Sequence, residues 1–323
     1  MEIQILGQQK HQFSILTPTL NRGKYLPRIY DCLCHQDDMD LEWIIMDGGS
    51  TDNTKEIVSG FNRTFEIKFR SQENDGKAAA MNAGILMSSS YITLVSLDSE
   101  DILCPSALKT VWDYFDKKTG KFIHDCAGLS GLCQYENGDI IGKRFPQDFF
   151  VSDYIRCRKN KNVYGDKCDF FVTDVLKNYP YPVFENKKFI VESTVYNRIA
   201  LNHNTLYINR ILQEKQFFQG GLSIQNNWLR NPQGYELFYN EASIPPFKLL
   251  LQIINSGKYI FFAKMNKKIY IFKEAKNKFI FPIGIFAYFI LRIKFLLKKI
   301  KFLQALNDIL KSKRYNWKKY KIE

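Results

Sequence analysis

The stretch that decides the fold is Tyr91-Ile-Thr-Leu-Val-Ser-Leu-Asp-Ser-Glu-Asp101. A run rich in apolar and β-branched residues stops abruptly in three carboxylates, Asp98, Glu100 and Asp101. Such a run reads as a buried strand with acids at its carboxyl end, and in open α/β sheets ligands bind at that end. Carboxylates this close repel one another, and a divalent cation is the usual reason to keep them together. A solvated acidic turn ahead of a helix beginning near Pro105 is the alternative.

Upstream, the same pattern recurs. Phe13-Ser-Ile-Leu-Thr17 reads as a first buried strand, left by the loop Pro18-Thr-Leu-Asn-Arg22. A helix follows from about Tyr25 to His35. Leu41-Glu-Trp-Ile-Ile-Met46 is a second strand ending at Asp47-Gly-Gly-Ser50, with Ser50 or Asp52 able to cap the next helix. Phe65-Glu-Ile-Lys-Phe69 is a third strand, and Gly76 to Met87 an Ala-rich helix. This alternation predicts an α/β fold, a mostly parallel central sheet flanked by helices with right-handed crossovers. The polar loops Thr17–Arg22, Asp47–Asp52, Gln72–Lys77 and Asp98–Asp101 should therefore converge on one rim. Their acids would repel bare phosphates, so a diphosphate bound there needs a metal between. Neither Gly-x-Gly-x-x-Gly after the first strand nor a P-loop motif occurs, which argues against a dinucleotide-binding dehydrogenase and a P-loop NTPase.

Four of these stretches carry a family resemblance. Ser14-Ile-Leu-Thr-Pro-Thr-Leu-Asn-Arg22, Glu42-Trp-Ile-Ile-Met-Asp-Gly-Gly-Ser-Thr-Asp-Asn-Thr54, Asn74-Asp-Gly-Lys-Ala-Ala-Ala-Met-Asn-Ala-Gly84 and Leu97-Asp-Ser-Glu-Asp101 resemble, in order, the motifs of family 2 glycosyltransferases, of the kind that assembles bacterial surface polysaccharides. A weaker likeness continues to roughly residue 240. The resemblance implies a GT-A fold, a nucleotide-sugar donor and transfer with inversion at the anomeric carbon. It implies donor contacts at Thr17, Pro18, Asn21, Asp47, Asp75, Lys77, Asn82, Asp98 and Ser99, with Asp98 and Glu100 in the two acidic places of the family's metal-binding Asp-x-Asp motif. The expected cofactor is Mg²⁺ or Mn²⁺. Asn82 also suits a plain helix-packing role. Two departures stand out: Glu100 replaces the usual Asp, and Gly48 replaces an acid that recognises uracil in some members.

An inverting displacement needs a carboxylate to take the acceptor hydroxyl's proton. In the family that base opens a helix in the second half. Glu192 follows an apolar run and precedes Ser193–Leu201, the corresponding context; the alternative is a first-turn Glu favoured by the helix dipole. Asp169 and Asp174 are the reserve candidates. Between these parts, short strands broken by Gly120, Gly128, Gly131, Gly138 and Gly142 suit a mixed sheet shaping an acceptor site. Lys143, Arg144, Arg156 and Arg158 are either phosphate contacts or solvated charges. Phe217-Phe-Gln-Gly-Gly-Leu-Ser223 and Asn231-Pro-Gln-Gly234 resemble a loop and helix start found after the base in polysaccharide-assembling members; the Gly-rich loop could close over the donor or be a plain turn.

Composition bounds the rest. At 323 residues with 45% hydrophobic content, the chain can bury a full core. Seven cysteines without Cys-x-x-Cys, and four histidines, argue against a zinc site and fit a reducing compartment. The amino-terminal Met-Glu-Ile-Gln-Ile-Leu-Gly lacks the features of a signal peptide. Residues 1–247 carry 27 Lys/Arg against 30 Asp/Glu, whereas residues 248–323 carry 19 against 3. This describes an enzyme-like body with a basic anchoring tail rather than a nucleic-acid binder. Phe279–Leu291 is apolar but too short for a confident span, and Ile293, Leu296, Leu297, Ile300, Leu303 and Leu306 repeat at helical spacing among lysines. Such a helix can lie on an anionic membrane surface, or pack on the body with a wet basic face.

The expected organisation is a nucleotide-sugar-binding half over 1–110, an acceptor-binding half over 111–245, and a helical, basic, membrane-associating extension over 246–323. The expected partners are a nucleotide-sugar donor, a glycan or lipid-linked acceptor and an anionic membrane surface, without nucleic acid, on the cytoplasmic face of the cell membrane. A nucleotidyltransferase of similar layout and an inactive membrane-bound nucleotide-sugar-binding module are the competing readings.

Overall fold

A computed structural model of the chain describes residues 11–37, 39–62, 64–73, 75–184, 190–216 and 231–293. It divides into two compact units, Met1–Gly234 and Tyr235–Glu323.

The first unit opens with β1 (His11–Thr19), a 3₁₀ turn (Gly23–Tyr25), α1 (Leu26–Cys34), β2 (Leu41–Asp47), α2 (Thr54–Ser59), β3 (Glu66–Ser71), α3 (Lys77–Met87) and β4 (Ser90–Leu94). These four strands are parallel, in the order β3-β2-β1-β4. Every residue of β2 is buried, as a strand covered on both faces requires. Register sets Thr19 beside Asp47 and Asp47 beside Ser71, so the first three strand ends line up on one rim. The fourth strand leaves the ladder earlier than its apolar run suggests. After Leu94, the amide of Val95 bonds to Asp169 O at 3.3 Å and that of Leu97 to Leu16 O at 2.8 Å. Residues 95–97 thus carry the chain toward the same rim, where Asp98 follows.

The second half of the sheet is mixed. After β5 (Ile102–Leu103), α4 (Ala107–Trp112) and the hairpin β6 (Phe115–Asp116) and β7 (Lys121–Phe122) come β8 (Gly128–Tyr135), β9 (Phe150–Ser152), β10 (Lys167–Val172), α5 (Thr173–Lys177), α6 (Ser193–Ile199) and β11 (Thr205–Lys215). β10 inserts antiparallel between β4 and β8, β11 pairs parallel with β8, and β5 and β9 both pair antiparallel with β11. One hydrophobic core runs under both halves, from Phe13, Ile15 and Trp43 to Phe170, Leu206 and Leu212. All seven cysteines are free.

In the second unit, α8 (Leu249–Met265) follows α7 (Pro232–Glu241), with α9 (Ile271–Glu274) and a helix over 281–293 beyond it. Tyr259, Ile260, Ala263, Ala275, Phe281 and Tyr288 form its core. The Gly-rich loop at 217–223 and the apolar repeat positions beyond Ile293 lie outside the described residues.

Candidate active site

The acid cluster sits at the rim, and each of its carboxylates has its own cation. Lys77 Nζ lies 2.7 Å from Asp98 Oδ1, Arg22 pairs with Glu100, and Lys215 Nζ lies 3.0 Å from Asp101 Oδ2. The three cations come from the loop after β1, the start of α3 and the end of β11. This revises the repulsion argument: side chains already offset the acids, so their proximity does not by itself require a metal. Asp101 is buried, and Gln213 Nε2 donates to it at 2.9 Å. Burial pushes its carboxyl up to about 7 against the opposing pull of Lys215.

Lys77 is the centre of the arrangement. Gly76, at φ 90°, occupies a conformation that residues with a Cβ rarely adopt and turns the chain into α3, so that Lys77 opens the helix. Its Nζ is also 2.8 Å from Glu192 Oε1. One ammonium therefore joins the carboxylate behind β4 to the carboxylate at the start of α6, 94 residues apart in sequence. Glu192 takes the N-cap position of α6 without a side-chain bond to the helix, so its carboxylate is turned to Lys77 rather than spent on capping. Burial alone would raise the Asp98 carboxyl, but Lys77 and Lys215 outweigh it and hold it well below the usual range. The same pairing works in reverse on Lys77: burial would lower its ammonium, and Asp98 and Glu192 raise it.

The other candidates divide by what already occupies them. Thr17 is buried, and its hydroxyl accepts the Trp43 indole N–H at 2.9 Å. Pro18 is half-buried in β1. Asn21, at φ 53°, accepts the Thr51 amide at 2.8 Å and ties the loops after β1 and β2 together. Asp47 is buried and accepts from the Ser50 amide and hydroxyl, and from Ser71 Oγ at 2.8 Å. Asp75 is exposed. Asn82 exchanges two hydrogen bonds with the backbone of Tyr181, at 2.9 and 2.8 Å, the packing role that its helix position allowed. Ser99 is buried and donates to Glu100 Oε2 at 3.0 Å. Asp98 and Glu192 keep side-chain exposures of 39% and 45%, which leaves them the solvent-reachable carboxylates around Lys77.

Of the reserve bases, Asp169 accepts from Ser130 Oγ at 2.6 Å on β10, and burial raises its carboxyl against Arg158 and that hydrogen bond. Asp174 lies in the first turn of α5. Lys143 lies over Tyr164, Arg156 pairs with Asp153, and Arg158 donates to Gly165 O at 2.6 Å while stacking on Tyr154. Arg144 is exposed. Sequence reasoning named Lys77 but missed its bridging role, and it missed Arg22 and Lys215 as partners. Arg22 lies inside a motif already quoted, whereas nothing local marks Lys215.

Asp98 and Glu100 supply oxygens of the kind that hard divalent cations prefer. Two carboxylates completed by phosphate oxygens and water are a common Mg²⁺ set, so the residues fit such an ion. Among the described residues, the one three-ligand cluster lies elsewhere. His11, Glu42 and Glu66 gather near the amino ends of β1–β3, where His11 also binds Asp40 at 2.7 Å and Glu42 accepts from Ser14 and Lys68. That set is an internally satisfied polar network.

Comparison with known proteins places the chain. Residues 14–163 match the model of glycosyl transferase family 2, and the chain carries a domain of that family. It is 36% identical over 108 residues to glycosyltransferase GlyG of Streptococcus pneumoniae, covering 32% of this chain and 35% of that one. To the GalNAc(5)-diNAcBac-PP-undecaprenol beta-1,3-glucosyltransferase of Campylobacter jejuni it is 28% identical over 211 residues, covering 64% of this chain and 62% of that one. The chain thus spans about a third of the first relative and under two thirds of the second. Among solved structures, S. aureus TarS 1-349 in complex with UDP-GlcNAc superposes with a TM-score of 0.61 at 17% identity, over 78% of this chain and 72% of that one. The mannosyltransferase PcManGT of Pyrobaculum calidifontis, in complex with GDP-Man and Mn²⁺, superposes with a TM-score of 0.52 at 16% identity, over 79% and 74%. The fold is of the GT-A type.

Proposed function

We propose that this family 2 domain is an inverting, metal-dependent glycosyltransferase that moves a sugar from a nucleoside diphosphate donor to a glycan or lipid-linked acceptor in cell-surface polysaccharide synthesis. The observation that carries the reading is the juxtaposition at Lys77. A rim carboxylate suited to the donor's diphosphate side and a helix-start carboxylate suited to an acceptor proton come within reach of one ammonium. In the reaction, the acceptor hydroxyl oxygen bonds to the anomeric carbon as the bond from that carbon to the diphosphate oxygen breaks. Glu192 takes the hydroxyl proton, and the nucleoside diphosphate leaves. Asp98 and Glu100 would hold Mg²⁺ or Mn²⁺, which supplies positive charge against the leaving diphosphate. Mn²⁺ in PcManGT supports that cofactor class.

Thr17, Pro18, Asn21, Asp47, Asp75, Asn82 and Ser99 form the donor side of the proposal. Thr17, Asn21, Asp47 and Asn82 act by fixing the loops and strands, as their hydrogen bonds indicate. Lys77 exchanges its carboxylate contacts for phosphate oxygens when donor binds. Residues 1–110 would serve the donor and 111–245 the acceptor. The Campylobacter relative's undecaprenol-linked acceptor and the basic composition of 248–323 support work at the cytoplasmic face of a membrane. The test is release of nucleoside diphosphate from a panel of nucleotide sugars with Mn²⁺ and an added acceptor. Glu192→Ala should keep donor binding and lose transfer; full activity in that variant would move the base elsewhere.

A further inference from the structure

The second unit presents an apolar face that its own packing does not use. Helix 281–293 turns Phe281, Gly284 and Tyr288 inward. It meets α8 at backbone distance, since a Cβ on Gly284 would lie 2.3 Å from Ser256 Oγ and one on Gly257 would lie 2.7 Å from the Ala287 Cβ. The opposite side is as apolar as the buried one. Ile283, Phe286, Ile290 and Ile293 are 51%, 72%, 44% and 57% exposed, and Phe279, just before the helix, is 93% exposed. Their spacing of four, three, four and three residues makes one continuous stripe. In the same unit, Ile269, Tyr270 and Phe272 are also more than half exposed. A row of large side chains on this scale marks an interaction surface rather than chance exposure.

Charge indicates what covers it. Residues 248–293 hold nine Lys/Arg and one acid, Glu274. Lys267, Lys273, Lys278 and Arg292 stand within two residues of exposed apolar positions and form no ion pair among the described residues. A second copy would bring the same positive charge to the contact and be repelled. An anionic bilayer offers hydrocarbon to the stripe and negative charge to its borders. Among the described residues no helix is long and apolar enough to cross a membrane.

We propose that helix 281–293, with Phe279 and the 269–272 segment, is a monotopic membrane-binding face that lies in the interface of an anionic lipid bilayer. It deepens the membrane part of the proposed function and is independent of the transfer chemistry. It places a membrane-binding face at residues 269–293, inside the extension over 246–323 expected to associate with a membrane.

The test uses the full chain in co-sedimentation with vesicles of phosphatidylcholine alone, or with one third phosphatidylglycerol (roughly the anionic fraction that engages basic segments). Wild type should partition onto the anionic vesicles, and Phe286→Glu/Ile290→Glu should partition roughly tenfold less or weaker still. Leu86→Glu, an equally exposed site on α3, should change nothing. Circular dichroism should show all variants folded, because each altered side chain is exposed. Undiminished binding by the double variant overturns the face, as does equal binding to neutral vesicles. A dimer in light scattering that the double variant dissolves assigns the face to a second copy and overturns the proposal. Transfer to a soluble acceptor in vesicle-free buffer reads the reaction separately: binding without transfer leaves the face standing and overturns the chemistry, and transfer without binding does the reverse.

Discussion

Replacing Lys77 by methionine removes the one cation that Asp98 and Glu192 share, at 2.7 and 2.8 Å, while keeping most of the side chain's apolar stem. Removing a partner from a fully buried ion pair costs about 3–5 kcal/mol, and from an exposed one about 0.2–1 kcal/mol. Here the cation is 22% exposed and its partners 39% and 45%, so solvent takes up much of the loss and about 1–2 kcal/mol is the expected destabilisation. For a domain of this size that is a fall in Tm of about 2–8 °C. The same substitution should tighten binding of Mn²⁺ to the nucleotide-free protein. Lys77 and a divalent ion compete for Asp98, and relief of about 1–2 kcal/mol corresponds to about 5–30-fold in affinity. UDP, used as a probe, should bind more weakly, because its diphosphate loses a cation. Differential scanning calorimetry reads the first effect, and isothermal titration with Mn²⁺ and UDP separately reads the others. An unmoved Tm with unchanged Mn²⁺ affinity would refute the idea that Lys77 acts as an internal counter-ion at this site.

Glu192→Gln keeps size and hydrogen bonding but removes the proposed base, so initial-rate assays should show transfer reduced by about 10²-fold or more with donor affinity little changed; activity within a few fold of wild type would exclude Glu192. Burial alone would lower the His11 imidazole, but Asp40 and Glu66 outweigh it and raise the value above its ordinary 6.5. Its stabilisation is therefore complete below about pH 6.5 and is lost as pH rises through the higher folded value. Urea titrations of wild type and His11→Gln should differ most near pH 6 and converge as pH rises through the folded value; a gap that widens with pH would reverse the assignment. Gly284→Val inserts a Cβ where Ser256 Oγ would lie 2.3 Å away, so it should destabilise the second unit by about 1–3 kcal/mol. Limited proteolysis should then release the first unit intact, and an unchanged cleavage pattern would contradict the close helix contact.

The first half of the fold was legible because its strands bring their own signals. Apolar runs at Phe13, Leu41 and Tyr91 end in polar loops, and parallel strands buried on both faces need little else to be recognised. The second half was not, since β10 lies between β4 and β8 and β11 joins β8 across a long connection, pairings with no local mark. The apolar run through Leu97 overstated the fourth strand because hydrophobicity reports burial, and Val95 and Leu97 are buried after they leave the ladder. At the site, the acids could be placed from their position behind a strand, but their counter-ions could not. Arg22, Lys77 and Lys215 reach Glu100, Asp98 and Asp101 only through tertiary folding. For the same reason the hydroxyl of Thr17 and the amide of Asn82 gave no sequence sign that Trp43 and Tyr181 would engage them.

In the proposed function, Asp98 would hold the cation on which sugar transfer depends. The most direct measurement is nucleoside diphosphate release from a nucleotide sugar by wild type and Asp98→Asn, each titrated with Mn²⁺ after chelation. Release should rise with Mn²⁺ in wild type and fall by about 10²-fold or more in the variant at every Mn²⁺ concentration. Release that persists at full rate in chelator, or in Asp98→Asn, would contradict it, and pyrophosphate released from a nucleoside triphosphate would point to nucleotidyl transfer instead.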